Sequence, residues 1–194
     1  IRKIFSLCRQ VFLKTIIALR IPFRIDVNLA ERRIVFDDVA SSYITEQIAL
    51  FGIDGYEYEL GKFIRSYPFA LSTFIDAGAN IGFYSAIGSV CLGEEVQVTA
   101  IEAFPNNVAY LERLKKNNHL KFNIIPKALA DSSGRTMDFY VPTTHRSSKL
   151  APAASLINSF KDSGGVHEQT DYKVIKVETI TMNDVLAEHS GPYL

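Results

Sequence analysis

The chain has 194 residues, 47% hydrophobic and 22% charged, with seven prolines; this excludes a disordered or collagen-like polymer and supports one proper core. Its 21 Lys and Arg balance 21 Asp and Glu, so the broad positive field of a phosphate-tracking protein is missing and nucleic acid is not an expected partner. Cys8 and Cys91 lie far apart, outside any C-x-x-C pair or Cys/His cluster, which predicts free thiols, no metal site and a reducing, cytoplasmic setting.

In chain order, residues 1–21 place Ile4, Val11, Phe12 and Ile16 near one helical face, with Arg2, Lys3, Arg9, Lys14 and Arg20 interspersed. The apolar runs are far shorter than the roughly twenty residues a bilayer span needs, and no small-residue cleavage site follows. Two readings fit this basic amphipathic helix. The commoner is a packing helix at the edge of the domain; the other is weak contact with an anionic membrane surface.

Residues 25–36 and 45–67 carry short apolar and mixed helical patterns broken by Gly52 and Gly55, a helical and hairpin preamble over 1–70. The regular part, 71–194, opens with a strand at Thr73–Ile75, a glycine-containing turn and a buried helix from Ile81 to Leu92. A second strand over Val96–Ile101, a helix opened by Pro105 and running to Asn118, and a third strand over Phe122–Ile125 complete a βαβα alternation. The expected fold is therefore α/β, a doubly wound, Rossmann-like parallel sheet with its strands ending near Asp76, Glu102 and Ile125 on one edge. Thr136–Val141 and Tyr172–Thr179 read as two further strands, and 142–171 as an irregular, Ser- and Gly-containing loop long enough to form a lid. The chain starts at an isoleucine and stops at Gly191-Pro192-Tyr193-Leu194, where an apolar run begins; the expectation is a fragment whose sheet has an unpaired edge beside the first strand.

The chemistry-bearing motif is Asp76-Ala77-Gly78-Ala79-Asn80-Ile81-Gly82, directly after the first strand, where open α/β sheets bind ligands. Gly78 permits a tight turn and close ligand approach, and Gly82 is expected to let the first helix pack closely on its strand. A dinucleotide fingerprint would need glycine where Asn80 and Phe83 stand, which weakens a nicotinamide reading. Asp76 suits the neighbourhood of an ammonium group better than a pyrophosphate. Glu102, at the end of the second strand, can accept hydrogen bonds from both hydroxyls of a ribose.

The segment from Ile75 to Ser85, I-D-A-G-A-N-I-G-F-Y-S, resembles the first motif of FkbM-type methyltransferases, in which asparagine commonly takes the middle glycine position. Gly55-Tyr56-Glu57, Ala100 to Pro105, Lys127 to Asp131 with Gly134, and Ala154-Ser155-Leu156 are similar to further family segments, in order. Thr179 to Asp184 also resembles a family stretch, with Asn183 where aspartate is usual. The resemblance implies a class I, Rossmann-like S-adenosylmethionine-dependent methyltransferase, truncated after the third strand and the following hairpin, that acts on a hydroxyl of a sugar, glycan or natural product. It implies cofactor contacts at Asp76, Gly78, Ala79, Asn80, Gly82, Phe83, Glu102, Ala103, Phe104 and Ala128. The family's fourth strand, with its acidic K-I-D-x-E-G segment, would start just beyond Leu194, so no general base is named.

Other polar residues read as bland. His119, His145, His167 and His189 have no metal-ligand spacing, and Ser85 and Ser155 lack a nucleophile elbow. Tyr140, His145 and Arg146 lie in or beside the loop, where they can reach an acceptor or simply be solvated. A nicotinamide-dependent oxidoreductase and a non-catalytic nucleoside-binding module are the alternatives.

Overall fold

The computed structural model describes residues 2–143, 156, 172–189 and 191–194. The N-terminal part is α1 (Arg2–Ala18), a hairpin of β1 (Ile25–Leu29) and β2 (Arg32–Phe36), α2 (Tyr43–Phe51) and α3 (Tyr58–Arg65). Leu13 of α1 is buried, and Arg9 donates to the Ala49 carbonyl of α2 at 3.4 Å, so α1 is a packing helix on its inner face. Ser42 caps α2 by accepting from the Ile44 N–H at 3.2 Å.

The central sheet is parallel, in the order β3 (Thr73–Ala77), β4 (Gln97–Ile101), β5 (Asn123–Ile125), with Asp76 opposite Ala100 and Ile101 opposite Ile125. Its strands alternate with α4 (Phe83–Cys91) and α5 (Pro105–Asn118), and the carboxyl ends fall on one edge as the sequence predicts. The period-two alternation of strands sends Phe74, Val98 and Ala100 into the main core, shared with Ile87 of α4 and Leu111 of α5. Ile75 and Ile101 point the other way, into a smaller cluster with Ile180 and Val185.

The main core also takes in Leu29, Ile34, Phe36, Ile44, Ile48 and Ile64 from the N-terminal part. Side chains of α5 bind that part to it. Asn118 accepts from the Val35 N–H at 2.7 Å and donates to the Val35 carbonyl at 2.9 Å, filling the hydrogen-bonding groups of an edge strand, and Tyr110 donates to the Asp37 carbonyl at 2.8 Å.

The second sheet has the order β6 (Ala128–Leu129), β8 (Tyr172–Ile180), β7 (Thr136–Pro142), with β6 parallel and β7 antiparallel to β8. It is followed by α6 (Met182–Ala187), whose Thr181 N-cap accepts from the Asp184 N–H at 3.1 Å. Neither β6 nor α6 is predicted from the sequence. Of the expected loop over 142–171, only Pro142, Thr143 and Leu156 are described; the lid, Ala154, Ser155, His145, Arg146 and His167 lie outside the described residues.

Two expectations need correction. The edge beside β3 is not bare: Tyr193 forms a parallel bridge to Thr73, Leu194 N–H donates to the Thr73 carbonyl at 3.0 Å, and Ile75 N–H donates to the Leu194 carbonyl at 2.9 Å. The backbone of Tyr193 and Leu194 thus pairs with β3 and satisfies polar groups of that strand's edge. Gly82, in turn, does not bring α4 onto its strand. A Cβ there would lie 2.4 Å from Leu111 of α5, whereas the close helix–strand approach is at Gly88, where a Cβ would lie 2.8 Å from the Phe74 ring.

Among the described residues no helix is long and apolar enough to cross a membrane, and no group of three or more His, Cys, Asp or Glu could hold a metal. Both cysteines are unpaired, Cys8 exposed and Cys91 half-buried.

Candidate cofactor site

The turn after β3 is left-handed at Gly78 (φ 78°), Asn80 (φ 51°) and Gly82 (φ 79°). Glycine adopts this conformation without a Cβ penalty and asparagine tolerates it better than most residues, which explains why this spacing survives with Asn80 in the middle. The turn is tied down from beneath: the N–H groups of Gly78 and Ala79 both donate to the Ile101 carbonyl at 2.9 Å. Space is open around Gly78 where a Cβ would stand.

Glu102 closes the arrangement. One carboxylate oxygen accepts from the Asn80 N–H at 2.8 Å and the other from the Phe104 N–H at 2.8 Å. A further bond comes from the Asn107 side chain. Only 7% of Glu102 is exposed, so it is no solvated strand-end charge, as a lone glutamate at that place would be. Burial pushes its pKa up, opposed by the bonds from Phe104, Asn80 and Asn107.

Asp76 faces the opposite way, toward α4, where it accepts from the Ser85 hydroxyl at 2.6 Å. Burial lifts its pKa to about 6; the Ser85 hydrogen bonds pull it down and the charge of Glu102 adds a smaller upward push. Ser85, unremarkable in the sequence, is therefore the clamp that holds the motif's acid.

A cavity of about 670 Å³ opens at the carboxyl edge of β3 and β4, within the size range of small-molecule sites. Gly78, Glu102, Ala103 and Ala128 line it, four of the residues singled out in the sequence. Asp76, Ala79, Asn80 and Gly82 shape the turn behind that surface. Phe83 and Phe104 are core residues: Phe83 packs edge-on to Tyr56 at 5.7 Å, and Phe104 joins Phe139, Val141 and Val177. The Gly55-Tyr56-Glu57 segment is thereby explained, since Tyr56 anchors the start of α4 and the Tyr84 hydroxyl donates to Glu57.

The opposite wall comes from Lys127 and Asp131 beside β6, from Met137 and Phe139 on β7, and from Leu156. Sequence reasoning missed Met137 and Phe139, although their alternate spacing on a predicted strand is the signal that puts them on one face. Thr179 to Asp184 is a structural stretch. The Thr179 hydroxyl donates to the Ser132 carbonyl at 2.6 Å, Thr181 caps α6, and Asn183 is exposed.

The family model described as the methyltransferase FkbM domain matches residues 76–193, more than half of the chain. The chain belongs to the FkbM methyltransferase family. The match starts at the motif acid and reaches the residue that bridges to β3, so the whole cavity of this FkbM domain lies inside it. No curated protein matches the chain. Membership makes the protein a methyltransferase with a Rossmann-like fold and S-adenosylmethionine as its cofactor. The residues present fit such a nucleoside: a buried acid, an open glycine turn and small side chains, Ala103 and Ala128, facing an apolar wall.

Proposed function

We propose that this FkbM protein methylates a hydroxyl oxygen on a sugar, glycan or natural product, with the cofactor held between the β3–α4 turn and the β7–β8 hairpin. The observation that carries the reading is the convergence of Gly78 and Glu102 on one cavity at the carboxyl edge of the sheet. Glu102 would receive the ribose hydroxyls on its remaining lone-pair directions, Gly78 would let the donor's chain run close to the backbone, and Ala103, Ala128 and Phe139 would hold the adenine. Asp76, behind the turn, supplies negative charge on the side of the methionyl ammonium.

Bound there, S-adenosylmethionine supplies an electrophilic methyl group. The protein's task is to align an acceptor oxygen with that methyl and to keep water away. The apolar wall of Met137, Phe139 and Leu156 serves the second purpose. The wider fold reading follows the same line: β3-β4-β5 is one half of a doubly wound sheet, Tyr193 begins the other half, residues 71–194 form the cofactor domain with 1–70 as its preamble, and the setting is cytoplasmic.

The test has two arms. Calorimetric titration with S-adenosylmethionine, with a nicotinamide dinucleotide as control, should give binding of the first alone. Transfer of labelled methyl to polyol and saccharide acceptors should yield a base-stable O-methyl ether. Methyl found only on nitrogen, or binding of the dinucleotide alone, overturns the proposal.

A further inference from the structure

We propose that α1 docks the protein on the surface of an anionic lipid bilayer. The inner face of α1 is used: Leu13 is buried against α2 and Arg9 reaches the Ala49 carbonyl. The outer face has no covering among the described residues. Val11, Phe12 and Leu19 are 57%, 63% and 66% exposed, and Ile21, in the turn after the helix, is 45% exposed. At 3.6 residues per turn, Phe12 and Leu19 lie two turns apart on one stripe, with Cys8 and Thr15 beside them and Val11 at its margin.

Charge says what covers this stripe. Six of the 21 cationic residues and none of the 21 acidic ones fall in residues 1–25, so a neutral chain carries a net +6 at this end and −6 over the remainder. Among the described side chains, Lys14 and Arg20 line the groove against α2 on one margin of the apolar stripe and Arg9 lies on the other; Arg24 follows in the next segment, and all four are exposed. The groove between α1 and α2 adds one carboxylate, Glu46, to this cationic margin. An apolar stripe between two cationic margins is the arrangement of a helix lying in the plane of a membrane interface, with long side chains reaching back to lipid phosphates. The helix lies on the surface and does not span it.

The 194-residue chain should sediment with phosphatidylcholine vesicles that contain phosphatidylserine, and not with phosphatidylcholine alone, with binding weakened by added salt. Each cation near the surface contributes about 1 kcal/mol, or about fivefold in affinity, so Lys14→Gln with Arg20→Gln should weaken binding roughly twenty-five-fold. Phe12→Ser with Leu19→Ser should also release the protein. Both pairs spare Leu13, and an unchanged thermal melt will show that the fold is kept. Equal sedimentation with both kinds of vesicle, or binding that both pairs leave intact, overturns the proposal. So does concentration-dependent self-association that Phe12→Ser abolishes, because the stripe would then be covered by a second copy.

Discussion

The two walls of the cavity are built by different physics. The β3–α4 wall is polar and fixed by backbone geometry: Gly78 and Ala79 donate to the Ile101 carbonyl, and Asn80 and Phe104 donate to Glu102. The hairpin wall is apolar, placed by the register of β7 on β8 and by packing of Phe139 and Val177 against Phe104. A wall made of particular hydrogen bonds and left-handed residues depends on residue identity. A wall made of packed apolar side chains depends on volume and periodicity, and tolerates exchange among similar shapes.

The sharpest way to break this contrast is Gly82→Val. The backbone there has φ 79°, and a Cβ would lie 2.4 Å from Leu111, so strain and overpacking together should cost roughly 3 kcal/mol or more. A thermal melt should fall by on the order of 10 °C; a variant melting like the parent would show that the turn is not identity-dependent.

Glu102→Ala comes next. It strips the acceptor from the buried Phe104 N–H and the part-buried Asn80 N–H, at about 1–3 kcal/mol for a buried group, and should abolish cofactor binding in the same protein. A strand-end carboxylate facing a cleft is ordinarily expendable for folding, whereas the two backbone bonds of Glu102 make it part of the fold. Chemical denaturation alongside calorimetry separates the effects: lost affinity with unchanged stability would return Glu102 to a purely ligand-facing role.

A third effect is pH-dependent. The Asp76 carboxyl has its pKa raised from 3.8 to about 6 in the folded chain. The folded state thus binds the proton more tightly than the unfolded one. Stability from this group is fully present below pH 3.8 and is lost as pH rises through about 6. Between pH 7 and 5 the wild type should gain on the order of 1 kcal/mol relative to Asp76→Asn, read from paired denaturation curves. Parallel curves would mean that Asp76 is ionised at little cost.

The smallest change is expected on the other wall. Phe139→Leu keeps most of the volume and should cost less than about 1.5 kcal/mol, while weakening S-adenosylmethionine binding several-fold through loss of a flat ring face. A collapse in stability comparable to that of Gly82→Val would erase the distinction between the walls.

The same distinction decides what could be read in the sequence. The strand ends near Asp76, Glu102 and Ile125 and the turn at Gly78 are legible because each has a local steric or hydrogen-bonding reason, whereas the left-handed backbone of Asn80 and the contact of Gly82 with Leu111 are not. β6, two residues long, and α6, six residues long, are too short to show a period and exist through pairing with Ile180 and capping by Thr181. Phe83 and Phe104 sit inside recognisable motifs, yet helix and strand rotation turns them into the cores. Ser85 gives no signal at all, since its role depends on where α4 places it relative to Asp76.

The bridge between Thr73 and Tyr193 also has a meaning in time. The strand that carries the motif acid meets its second neighbour only some 120 positions later in the chain. At roughly 5–20 residues per second of synthesis, that flank of the nascent sheet waits on the order of ten seconds for its partner. Contacts of such long sequence separation form slowly because the intervening loop must close first. The outer flank of β3 is consequently enclosed late, and the interval is one in which a chaperone or another nascent chain can reach it.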